Sequence, residues 1–197
     1  IDGGTDIGAD IADADLFIID DGAGGTNRKV AASRLKTYVG GGLPNADFWR
    51  LNGDVQFGTS VQQIDSNWER VDTDGYGVIG TAMTESSGVF TFPATGIWHI
   101  QFHLSLFCGG GEVERFDVAI QTTANNSSYD DASFSHISTD TTNYRQSTTI
   151  SYILDVTNTS NIKVRFKYND VNNTNSTLVG STSATCTGAS FLKLGDT

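Results

Sequence analysis

Proline is nearly missing, with two residues in 197. Cysteine is as scarce: Cys108 and Cys186 stand alone, so no disulfide framework holds the chain. Basic residues number 12 against 23 acidic ones, a formal charge of −11, which argues against a nucleic-acid binder, since these normally carry a basic surface. No apolar run approaches the roughly 18 residues of a membrane span, and no charged-then-apolar signal segment opens the sequence. Histidine occurs three times, at His99, His103 and His136, and there is no Gly-x-Ser-x-Gly. What is plentiful is glycine (22), with Asn, Thr and Ser between apolar segments, the composition of a strand-and-turn protein.

The stretch "GVFTFPATGIWHIQFHLSLF", from Gly88, shows how the apolar residues are spaced. Trp98, Ile100, Phe102, Leu104 and Leu106 occupy one phase; His99, Gln101, His103 and Ser105 occupy the other. Strict period two means a strand with one buried face. Residues four apart on a strand are about 13 Å apart at about 3.3 Å per residue, so His99 and His103 of one chain cannot share a zinc ion. The helical metalloprotease reading fails.

Strand signals recur to the end of the chain. "WRLNGDVQF" is the first; "RFDVAIQT" buries Phe116, Val118 and Ile120; "TTISYILDV" buries Ile150, Tyr152, Leu154 and Val156. "NIKVRFKY" buries Ile162, Val164, Phe166 and Tyr168, and "ASFLKLGD" closes the series. Between them the longest polar stretch, Thr122 to Arg145, reads as a loop. An aromatic-studded polar loop suits an adaptable contact surface, with Tyr129, Phe134, His136 and Tyr144 as anchors. Asp130 with Asp131 could bind calcium or simply solubilise the loop; no other cofactor is implied. Five Asn-x-Ser/Thr sequons, at Asn125, Asn126, Asn158, Asn172 and Asn175, are glycan acceptors in a eukaryotic host or chance in an Asn- and Thr-rich chain.

The first 44 residues differ. Seven aspartates, Asp2 to Asp21, precede Arg28, Lys29, Arg34 and Lys36. Leu16 to Ile19 reads as a strand, "DDGAGG" as a turn and "NRKVAAS" as its hairpin partner. Ser33 then caps a short helix, "RLKTYV", stopped by Gly40 to Gly42. "GAGGTNRK" is no phosphate loop, because Arg28 precedes Lys29 and Val30 follows it. A piece this small needs partner chains or a neighbouring protein to bury its surface. The expected domains are 1-44, a segment with a glycine linker, and 45-197, a sandwich.

Two resemblances sharpen this. Phe90, Phe92, Pro93, Gly96, Trp98, Ile100 and Phe102 resemble the signature of complement-q and tumour-necrosis-factor jelly-roll heads, with Trp98 in place of the commoner tyrosine and "FLKLGDT" departing from the animal ending. "NGDV" early and "LGDT" last look more like the versions on bacteriophage appendages. The first 44 residues resemble a module common at the N-termini of phage tail-fibre and virion proteins: Asp-Leu-Phe-Ile-x-Asp, a glycine turn, Thr-x-Arg-Lys-Val and Ser-x-Leu-Lys.

Together these imply an all-β, antiparallel jelly-roll sandwich behind a hairpin-plus-helix segment: a non-enzymatic virion protein made in the bacterial cytoplasm and carried on the virion surface. Its partners would be itself, as a homotrimer; other virion proteins, met through Asp20, Asp21, Arg28, Lys29, Arg34 and Lys36; and a host-surface glycan or protein. In such heads one sheet turns toward a three-fold axis, which would bring His99, Gln101, His103 and Ser105 against neighbouring subunits. Rings of imidazoles there could hold a metal or an anion, sense pH, or pack neutral. The strand order would also set Cys108 beside Cys186, as a disulfide or as two thiols. The competing readings are a secreted complement-q-like recognition head and a glycan-cleaving tailspike using two carboxylates.

Overall fold

The computed structural model describes residues 8–20, 24, 27–39, 42–56, 61–110, 113–139, 143–171 and 176–197. The chain divides into two compact units, Ile1–Gly42 and Leu43–Thr197.

In the first unit, strand β1 (Leu16–Asp20) pairs antiparallel with β2 (Asn27–Ala31), Phe17 opposite Val30 and Ile19 opposite Arg28. Helix α1 (Ala32–Val39) follows directly. Its start is fixed by Ala32 N–H donating to Asp15 C=O at 2.8 Å. Ser33 therefore lies inside the first turn and does not cap the helix. The hairpin has apolar side chains on both faces, with Leu16 59% and Ile18 75% exposed.

The second unit is two antiparallel sheets packed face to face. Its strands are β3 (Asn45–Leu51), β4 (Val55–Gln56), β5 (Gln62–Gln63), β6 (Trp68–Arg70), β7 (Thr84–Ser86), β8 (Val89–Thr91), β9 (Gly96–Cys108) and β10 (Val113–Thr123). Then come β11 (Asp130–Thr139), β12 (Tyr144–Val156), β13 (Lys163–Asp170), β14 (Ser176–Leu178) and β15 (Gly188–Gly195). One sheet runs β11-β10-β13-β8-β7, with β5 also on β13. The other runs β4-β14-β9-β15-β3-β6, with β12 along the full opposite edge of β9. The chain crosses between sheets after β4, β5, β6, β8, β9, β11, β12 and β13, as the strands of a jelly roll do.

The buried phase of each strand fills the space between the sheets. Trp98, Ile100, Phe102, Leu104 and Leu106 are all buried, as their alternation predicts. Phe102 of β9 stacks on Phe166 of β13 at 4.5 Å, and Phe90 of β8 lies 5.0 Å from Phe191 of β15, so aromatic rings from both sheets interdigitate. Trp68 meets Phe90 edge-on at 5.0 Å. Such pairs add about 0.5–1.5 kcal/mol each beyond the area they bury. Tyr152, Leu154 and Ile162 are only partly buried, packed at the margin of this core. The hairpin β7–β8 turns through Ser87 (φ 51) and Gly88 (φ 77); a Cβ at Gly88 would meet the Ile64 carbonyl oxygen at 2.1 Å. Two successive positive φ values make a type I′ turn, whose twist matches paired strands.

The stretch expected as one long loop from Thr122 to Arg145 contains β11, ten residues paired along β10. Phe134 and His136 are therefore strand residues, Tyr129 just precedes the strand, and Tyr144 is the first residue of β12.

Candidate functional site

Two outward faces of the sandwich carry the residues of interest. The first is the β9 sheet. Here His99 lies between Ile153 of β12 and Leu192 of β15, Gln101 between Ser151 and Ser190, and His103 between Thr149 and Gly188; Ser105 faces Ser147. His103 Nδ1 is 2.9 Å from Thr149 Oγ1. On β9 and β12 this face carries formal charge only at its ends: Asp155 beside Ile97, and Arg145, whose guanidinium sits 5.0 Å over the Phe107 ring. Between them runs a band of Ser, Thr, Gln and His with Ile153 58% exposed. The four residues expected at a subunit contact thus share one face. Gln101 is exposed and His99, His103 and Ser105 are half-buried.

The second face belongs to the β10 sheet. Pairing across β11, β10 and β13 lays its outward side chains in three rows: His136–Asp117–Asn169, Phe134–Ala119–Lys167 and Asp131–Gln121–Arg165. Ala119 is the small residue among long ones, and a groove of about 560 Å³ opens over it. Its charges are paired. Lys167 Nζ donates to Asp131 Oδ2 at 2.5 Å, and Arg115 Nε lies 3.0 Å from Asp117 Oδ1. Gln121 Nε2 donates to Asp131 Oδ1 at 2.7 Å, and Gln121 Oε1 accepts from Arg165 Nε at 2.7 Å. Burial raises the Asp131 carboxyl, but hydrogen bonds from Lys167 and Gln121 outweigh it and leave the carboxyl below its ordinary value. The Arg165 guanidinium covers the Tyr129 ring at 3.9 Å; burial raises that phenol, opposed by the same cation.

Of the expected contact anchors, Phe134 (70% exposed) and His136 line this groove and Tyr129 borders its third row. Tyr144 does not join them: it pairs with Cys108 in the other sheet. Sequence reasoning missed Arg115, Asp117, Lys167 and Asn169. Their outward phase was legible beside buried Phe116, Val118, Phe166 and Tyr168, but their convergence needs the strand order. Asp131 of the Asp130–Asp131 pair is engaged by Lys167 and Gln121. Among the described residues no three His, Cys, Asp or Glu side chains come together as a metal site requires.

Both cysteines are free thiols. The expected pairing fails on register: Cys108 is opposite Ser176 and Tyr144, whereas β15 begins opposite His103 and Thr187 Oγ1 accepts from the Ser105 N–H. Cys186 is thereby set near Ser105, three residues back along β9. Burial raises the Cys108 thiol. The sequons also have structural work. Asn125 Oδ1 accepts from Ser127 N and Ser128 N at 2.9 Å, and Asn158 Oδ1 from Ser160 N at 2.8 Å, so both asparagines brace their own turns; Asn172 and Asn175 lie outside the described residues.

In the first unit Arg28 and Lys29 are exposed on β2 and Arg34 is exposed on α1. Asp21 and the side chains of Asp20 and Lys36 lie outside the described residues.

No family model matches the chain, and no curated protein matches it either. Solved structures do. The Eiger TNF from S. frugiperda is 13% identical, with a TM-score of 0.58 over 78% of this chain and 95% of that one. Murine APRIL at pH 5.0 is 13% identical, with a TM-score of 0.55 over 76% of this chain and 98% of that one. The sandwich is a tumour-necrosis-factor-like jelly roll. PRD1 vertex protein P5 is also similar, at 12% identity and a TM-score of 0.47 over 79% of this chain and all of that one. No helix among the described residues is long and apolar enough to cross a membrane.

Proposed function

We propose that this chain is a homotrimeric structural protein of a bacteriophage virion, a knob held to the particle by its N-terminal hairpin and helix. The observation that carries the reading is the joining of two units. A hairpin–helix piece with the "DLFIID", "TNRKV" and "SRLK" pattern resembling the phage module stands before a tumour-necrosis-factor-like jelly roll.

Each unit has a surface suited to its role. A two-stranded ribbon is marginal alone, and one exposing Leu16, Ile18 and Ile19 gains by docking. Arg28, Lys29 and Arg34 add charge for a virion partner. The charge-free band of the β9 sheet suits packing against itself around a three-fold axis, since closed symmetry covers such a face completely. His99 and His103 would there meet neighbouring chains. The groove of the β10 sheet stays on the opposite side of the sandwich, where a host surface could be met. The reading is non-enzymatic: hydrogen bonds from Lys167 and Gln121 hold the Asp131 carboxyl of the groove below its ordinary value, opposite to the raised acid that glycoside cleavage needs.

Gold-labelled antibody against the chain, applied to virions of the phage that encodes it, tests the placement. Label at fixed points of the particle is expected. Unlabelled particles, with the chain free in the lysate, would overturn it.

A further inference from the structure

We infer that the groove over Ala119 is a binding site for a neutral saccharide. This rests on the host-recognition part of the reading above and names its ligand class. The volume of about 560 Å³ falls within the span of about 300–1,000 Å³ typical of small-ligand sites.

Three features select the ligand. A phenyl ring 70% exposed on a sheet surface gains by being covered, and Phe134 rises directly beside the depression at Ala119. A pyranose offers a matching flat patch of C–H groups on one face and hydroxyls around its edge. Opposite Phe134 stand Lys167 and, one row on, Asp117 and Asn169, whose planar groups can bridge adjacent hydroxyls. The cations and carboxylates are already matched, Arg115 with Asp117 and Lys167 with Asp131. An anionic ligand would have to break one of those pairs and strand a carboxylate, whereas a polyol can hydrogen-bond to their remaining lone pairs and N–H groups. A protein partner would want a broader apolar centre than Phe134 with Val61.

The test uses the full chain and a panel of methyl glycosides (glucoside, galactoside, mannoside, fucoside, rhamnoside and N-acetylglucosaminide), read by saturation-transfer NMR and titration. At least one is expected to bind, with saturation strongest on its C–H face. Phe134→Ala should weaken that binding about tenfold, the effect of losing one aromatic stack, while Phe134→Tyr retains it. Binding by none of the panel, equal binding by Phe134→Ala, or binding only of sialic acid or inorganic phosphate would overturn the inference. Oligomer mass measured on the same samples separates the two proposals. A trimer that binds no sugar contradicts the groove alone, and a monomer that binds through Phe134 contradicts the trimeric reading alone.

Discussion

Arg50 is the residue at which the strand pattern and the structure part. It sits inside "WRL" on β3, 0% exposed, with Nη2 donating to Glu69 Oε1 at 2.6 Å and to Asp72 Oδ1 at 2.5 Å, and also to the Thr182 carbonyl. A buried guanidinium is tolerable only with such partners, and removing it leaves carboxylates facing one another. Hydrogen bonds from Asn52 and then Arg50 hold the Glu69 carboxyl below its ordinary 4.5. A carboxyl with a depressed folded value contributes its full stability above that ordinary value and loses it as pH falls through the lower folded one. Urea midpoints should therefore drop as pH falls below about 4.5, and Glu69→Gln should flatten the fall; an unchanged slope would count against the pair. At the same scale, Cys186 is half-buried and Cys108 fully buried with a raised thiol. One thiol per chain should react with a disulfide reagent in the native protein, at Cys186, and the second only after unfolding, at least about a hundred times more slowly. Zero reactive thiols in the unfolded, unreduced chain would mean a disulfide.

Among the elements, β9 presents the clearest division, with one phase buried and the other free of formal charge from Ile97 to Phe107. If its outward face is a subunit contact, a charge at its centre meets two copies of itself. Ile153→Asp, on β12 opposite His99, should dissociate the assembly, weakening it by several kcal/mol, while leaving the far-ultraviolet dichroism of the sandwich unchanged. An undisturbed oligomer would place the contact elsewhere. β9, β10 and β13 were legible because their apolar residues alternate without a break. β11 was not, because its pattern is inverted: Ser133, Ser135 and Thr139 point toward the protein beside Ile137, while Phe134 points out. As an edge strand it needs little burial of its own, so its residues report the groove they line. That is why Phe134 and His136 could be picked out as contact residues while Arg115, Asp117, Lys167 and Asn169 could not. The cysteine pairing failed for a related reason. β9 is met on one edge by two short partners in succession, β14 and then β15, and no spacing in the sequence announces where one gives way to the other.

For the whole molecule, the division at Gly42 and Leu43 separates a small unit whose described apolar residues are largely exposed from a large one with its own aromatic core. The proposal assigns attachment to the first, assembly to the β9 sheet and recognition to the β10 sheet, the two outward faces of the sandwich. Assembly is the role on which the others depend, since a trimer multiplies both the weak hairpin contacts and the weak sugar contacts into avid ones. The mass of the full chain in solution tests this most directly. Native mass spectrometry or equilibrium sedimentation at micromolar concentration should give about 63 kDa, three copies of 21.1 kDa. A single species at 21.1 kDa would contradict the account.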